Sequence, residues 1–181
     1  MDDIKSLYLS FEGRIGRKSF WLGLLGILVA AIALSFVLSP ILGVNSFGAM
    51  DMMTAEDGLS LEEMSESMLA LSSKMGWMNL LIYLIVFVPA SALFIKRRHD
   101  RGSAGMEYWV YAALAVLMIV LQATGFGYTI VEVAGFSIAA PTTLTTIIML
   151  ASGVLALYLL VVCGFLAGDD GENAYGPHPQ A

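Results

Sequence analysis

Ionisable side chains are distributed so unevenly along this chain that four long stretches contain none: Ser19 to Met50, Met75 to Ile95, Tyr108 to Val131 and Val133 to Gly168. Charged groups are costly in hydrocarbon, so an uncharged apolar stretch long enough to cross about 30 Å is a candidate membrane span. The second stretch is bracketed by Lys74 and Lys96, and its 21 residues at about 1.5 Å each give about 31 Å. Composition agrees: 58% of the residues are hydrophobic and 13% charged, against about 45–50% and about 25% in ordinary soluble domains. The same figures argue against a disordered chain. With one cysteine and a net charge of -6, a disulfide-stapled scaffold and a basic nucleic-acid binder are also disfavoured.

The expected fold is an all-α integral membrane protein, a single four-helix membrane domain over residues 1–181. Its spans are expected at about 19–38, 75–95, 107–126 and 141–166. Pro40 and Gly43 should end the first helix near Leu38, and Gly125, Gly127, Gly135 and Pro141 place a turn between the last two. An acidic outer loop occupies 43–74, and the tail runs over 169–181. Pro89 should kink the second span near Ile85 to Pro89.

Positive charge in short loops tends to stay cytoplasmic, whereas acidic residues contribute little to orientation. Eight of the nine Lys and Arg fall on one face of a four-crossing chain: Lys5, Arg14, Arg17 and Lys18 before the first span, and Lys96, Arg97, Arg98 and Arg101 between the second and third. Both termini are therefore expected in the cytoplasm. The first apolar run is longer than a typical signal-peptide core and fits an uncleaved signal anchor. Phe20 and Trp21, Trp77, and Tyr108, Trp109 and Tyr111 open successive spans, as interfacial aromatics do.

Short amphipathic helices are expected at the N-terminus and in the first outer loop, the latter feeding span two. Ile4, Leu7, Tyr8 and Phe11 repeat at helical spacing. Ser60 and Glu63 form a capping-box pattern ahead of Met64, Met68, Leu71 and Met75. Small residues let helix backbones approach closely in lipid, and Gly23, Gly26 and Ala30 on span one, with Gly164 and Gly168 at the end of span four, are the candidate packing positions.

No Asp, Glu, Lys, Arg or His lies inside the expected spans away from their ends, which lowers the case for a proton-coupled carrier. A polar path along Thr142, Thr143, Thr145, Thr146, Ser152 and Tyr158 would suit a small-solute carrier or channel. Hydroxyls at such positions more commonly bond their own helix backbone. The polar chemistry instead gathers in three segments: Phe11-Glu12-Gly13-Arg14-Ile15-Gly16-Arg17, Arg97-Arg98-His99-Asp100-Arg101-Gly102, and Gly171-Glu172-Asn173-Ala174-Tyr175-Gly176-Pro177. The cluster to watch is Arg14, Arg17, Arg97, Arg98, His99, Asp100, Arg101, Asn173 and Tyr175. Asp100 should pair with Arg14, Arg17 or Arg101, because an acid in a basic cluster gains charge-assisted hydrogen bonds.

His99-Asp100 has half of a catalytic dyad's chemistry but no obvious activated Ser or Cys companion. It leaves open an enzyme acting on lipid headgroups. Asp169, Asp170, Glu172 and His178 lack the spacing of a calcium loop or zinc site. No catalytic, cofactor-binding or metal residue is therefore assigned, and no cofactor is expected. The partners in view are the lipid bilayer and its anionic headgroups, not nucleic acid; a homo-oligomer or a membrane-protein partner stays open.

The three segments, in order and separated by apolar spans, with Phe20-Trp21 and Trp109 beside the first two and His178-Pro179 after the third, resemble the bacterial inner-membrane family catalogued as domain of unknown function 805. That resemblance implies a small polytopic protein of the bacterial inner membrane with no established activity. The chain departs from it in the placing of His99 and its arginine pair, and in a long acidic outer loop. The expected role is noncatalytic, structural or interactive, built on a cytoplasmic polar cap.

Overall fold

The computed structural model describes residues 4–44, 61–133 and 136–179. Half of the acidic loop (45–60), including its capping Ser60, and the turn residue Gly135 lie outside the described residues. In chain order the elements are α1 (Ile4–Leu9), α2 (Arg17–Ile41), α3 (Leu61–His99), α4 (Met106–Ala123), the strands β1 (Tyr128–Val133) and β2 (Phe136–Pro141), and α5 (Thr143–Gly164). Helices α2, α4 and α5, and residues Glu63–His99 of α3, are each long and apolar enough to cross a membrane.

Local chemistry sets where these helices stop. Helix α2 continues to Ile41 and carries Pro40 in its last turn, where the missing donor forfeits at most one intrahelical bond. It then closes in a Schellman pattern, with Val44 N–H donating to Ser39 O at 2.8 Å and Gly43 N–H to Pro40 O at 3.3 Å. Gly43 takes the left-handed conformation this cap requires, φ 62°. Helix α3 ends the same way. Ser103 N–H donates to Arg98 O and Gly102 N–H to His99 O, both at 3.0 Å, with Gly102 at φ 66°. The cations Lys96, Arg97 and Arg98 lie in that last turn, where the negative end of the helix dipole favours them. The Arg-Arg-His-Asp-Arg-Gly segment is thus a helix ending.

Two elements differ from the sequence expectation. The segment leading into the second span and the span itself form one 39-residue helix, α3. At about 1.5 Å per residue it is about 58 Å long, about twice the thickness of a hydrocarbon core. Between α4 and α5 the chain forms an antiparallel hairpin that pairs Thr129 with Ala140, Val131 with Ile138 and Val133 with Phe136. Because Pro141 ends β2, α5 starts at Thr143. Thr142 accepts the Thr145 N–H on its hydroxyl at 3.4 Å, an N-cap contact.

The residues group into two compact units. One comprises Met1–Ile32, Leu84–Ala113 and Ser152–Ala181; the other comprises Ala33–Tyr83 and Leu114–Ala151. The first is packed around Ile15, Phe20, Leu93 and Cys163, with Leu7, Tyr8 and Phe94 against them, and around Ile95, Tyr108, Ala112 and Leu159. Phe94 links the two clusters, meeting Phe20 edge-on and stacking on Tyr108, each at 5.2 Å between ring centroids. In the second unit α3 and α4 approach closely at Gly76, where a Cβ would collide with the Ala123 backbone. Ser73 donates its hydroxyl to the Ala123 carbonyl beside that crossing.

Candidate functional site

The polar residues of the three sequence segments meet in the first unit, around the C-terminal end of α5. A helix leaves its last carbonyls without intrahelical donors, and α5 has no positive-φ glycine directly after it to supply a cap of the kind seen at α2 and α3. Side chains take that place. The Cys163 carbonyl accepts from Arg97 Nε at 2.7 Å, Gly164 from Trp21 Nε1 at 3.0 Å, and Phe165 from Arg17 Nη1 at 3.4 Å. Leu166 accepts from Arg97 Nη2 at 2.5 Å, and Ala167 from Arg101 Nη1. Five consecutive carbonyls are thereby held by donors from α2, α3 and the turn after α3. The dipole at this helix end favours the positive charge they bring.

Arg14 extends the arrangement along the tail. Its Nη2 donates to Asp169 O at 2.7 Å, and its Nη1 to Gly171 O at 2.7 Å and Gly176 O at 3.1 Å. Nε and Nη2 also reach Asp100 Oδ1, at 3.1 and 2.9 Å. A guanidinium carries five N–H groups, and Arg14 has acceptors for all of them. The other carboxylate oxygen of Asp100 pairs with Arg97 Nη1. Asp100 is 3% exposed and Arg97 fully buried, so the carboxylate is a desolvated anion shared by two cations. The remaining positive charge faces carbonyl oxygens.

The rest of the cluster is organised in the same way. His99 stacks on Tyr175 at 3.8 Å between centroids and 5° between planes, and its Nδ1 lies 3.2 Å from Gly13 O. Asn173 donates from Nδ2 to His99 O at 3.0 Å and to Asp169 Oδ2 at 3.2 Å, while its Oδ1 accepts the Tyr175 N–H at 2.9 Å. Asp169 N–H donates to Asp100 O at 2.8 Å. Arg98 forms an ion pair with Glu107 instead of joining Asp100. Of the three arginines expected for Asp100, Arg14 pairs with it, Arg17 and Arg101 donate to carbonyls, and the second partner is Arg97.

Three donors or acceptors escaped the sequence reading. Trp21 carried only an interfacial reading, although its i+4 spacing from Arg17 put both on one helix face. Lys96 donates to Ser6 O and, at 2.8 Å, to Leu7 O, near the end of α1; Glu107 is the partner of Arg98. The packing candidates separate. Gly23 is buried where a Cβ would meet Leu93 at 2.7 Å, and Gly164 where it would meet the Trp21 ring at 2.6 Å. Gly26 lies under the Tyr8 hydroxyl, Ala30 is exposed, and Gly168 follows the helix at the point where the Asp100 carboxylate would occupy any Cβ position. The hydroxyls considered for a solute path include Thr142 and Thr145, whose oxygens lie 3.0 Å apart, and Thr146, which donates to Thr142 O at 3.0 Å.

Four helices able to cross a membrane suggest the class, a multi-pass membrane protein whose C-terminal segment is fastened by arginines. The family model described as Protein of unknown function (DUF805) matches residues 8–177, a span that takes in all three polar segments, and the chain belongs to that family. No curated protein and no solved structure matches the chain.

Proposed function

We propose that this is a multi-pass protein of the bacterial inner membrane, with the polar cluster and both termini on the cytoplasmic side, and that this cluster has a noncatalytic role. In this reading the arginines fasten the chain from Cys163 to Gly176 onto α2 and α3, forming a rigid cytoplasmic cap through which the protein engages its surroundings. The observation that carries it is the engagement of the Arg14 and Arg97 donors with main-chain carbonyls and Asp100. A catalytic group needs valence left over for a substrate, whereas these side chains direct theirs to the protein's own backbone and to Asp100. Eight of the nine basic residues belong to the first unit and Lys74 to the second, which supports the orientation.

The test is Arg97→Gln in detergent-solubilised protein. Removing one member of a buried ionic group costs about 3–5 kcal/mol, so a clearly lower melting temperature is expected. An Arg97→Gln protein that melts with the parent would overturn the fastening role. A turnover on lipid headgroups that disappears in a stably folded His99→Asn protein would overturn the noncatalytic one.

A further inference from the structure

Most basic groups of the first unit are committed internally: Arg14, Arg97 and Arg101 to carbonyls or Asp100, Arg98 to Glu107, and Lys96 to carbonyls near the end of α1. Arg17 and Lys18, adjacent at the start of α2, are different. Both are exposed, and Arg17 spends a single N–H on a long 3.4 Å contact. Counting four and then seven residues on from Lys18 gives Leu22 and Leu25, and four more gives Val29, all on one helix face. These three are 59%, 55% and 59% exposed. Two cations therefore head an open apolar stripe. From Lys18 to Val29 it runs about 16 Å at 1.5 Å per residue, about half of a 30 Å core and so the depth of one leaflet. Trp21, 38% exposed, and Phe165, 61% exposed, stand beside the cations and meet edge-on at 5.5 Å, as aromatic side chains do at headgroup depth.

We infer that Arg17 and Lys18 hold the phosphate of an anionic phospholipid whose acyl chain lies along Leu22, Leu25 and Val29. This rests on the reading that the chain spans a membrane, and it narrows headgroup contact from eight basic residues to two. The charge pair selects an anionic head, and the stripe below it selects a lipid over a soluble phosphate, which would gain nothing from exposed leucines.

The test is native mass spectrometry of the full chain extracted from bilayers mixing phosphatidylglycerol with phosphatidylcholine. The parent should retain phosphatidylglycerol selectively. Because each basic group near an anionic surface contributes appreciably to binding, the R17Q/K18Q double variant should lose about tenfold or more of that preference. K74Q should keep it. K18Q alone, which removes an exposed side chain, should give a partial loss with unchanged melting and so separates binding from folding. Equal retention in the parent and the double variant would overturn the inference, as would full displacement of the lipid by millimolar inorganic phosphate. The measurement does not depend on which way the protein faces, so a Lys18 found outside the cell would remove the cytoplasmic orientation and leave the lipid result to be judged separately.

Discussion

Asp100 is one negative charge between Arg14 and Arg97, at 3% exposure, and its removal leaves two cations in a desolvated site. Asp100→Ala should cost about 3–5 kcal/mol, read as a lower unfolding midpoint in detergent; a midpoint equal to that of the parent would contradict the buried pairing. Gly168→Ala tests the same contact from the other side, since its Cβ would fall on the Asp100 carboxylate. Overpacking predicts a loss of about 1–3 kcal/mol. Gly153→Ala, where nothing lies within 4 Å of the added atom and the residue is helical, should be neutral or gain up to about 1 kcal/mol. Comparing the two melts separates packing from propensity. That Asp100 would pair was legible from an acid set among arginines. Its pairing with Arg97 was not, because it depends on α3 running on through His99, which brings Arg97 and Asp100 into i,i+3 relation. The roles of Arg17 and Arg101 were hidden for a different reason: their acceptors are backbone carbonyls, which every residue carries and no side-chain pattern announces.

At the scale of elements, the C-terminal segment behaves as a ligand of the protein's own arginines. Deleting residues 169–181 removes the Asp169, Gly171 and Gly176 carbonyls from Arg14 and the Asp169 N–H from Asp100 O. Hydrogen bonds to charged groups are worth about 1.5–3 kcal/mol each and overlap in effect, so the truncated chain should lose about 3 kcal/mol and be cut faster by trypsin in detergent. Unchanged melting and proteolysis would show that the tail is not fastened. The four long helices were legible because the absence of charge over twenty residues is a strong signal. The hairpin was not recognised, although Thr129, Ile130, Val131 and Val133 are β-branched residues suited to a strand. The glycines around it marked a turn without fixing its length. Pro141 passed for a helix start because proline suits the first helical position; it ends β2, and Thr142 provides the cap.

For the molecule as a whole, the rejection of charge by hydrocarbon would gather the arginine-rich segments on one side of four crossings. The grouping of Arg14, Asp100 and Asn173 in one unit was legible from the alternation of spans and polar segments, while the identity of each contact was a matter of packing. The most direct test is thiol labelling of single cysteines introduced at Lys18, Asp170 and Glu132, all exposed, with the fully buried Cys163 left in place. In intact cells, a membrane-impermeant maleimide should reach Glu132→Cys alone, and should reach Lys18→Cys and Asp170→Cys only after the inner membrane is opened. Labelling of Lys18→Cys and Asp170→Cys from opposite sides, or of Glu132→Cys together with them, would contradict the four-crossing arrangement.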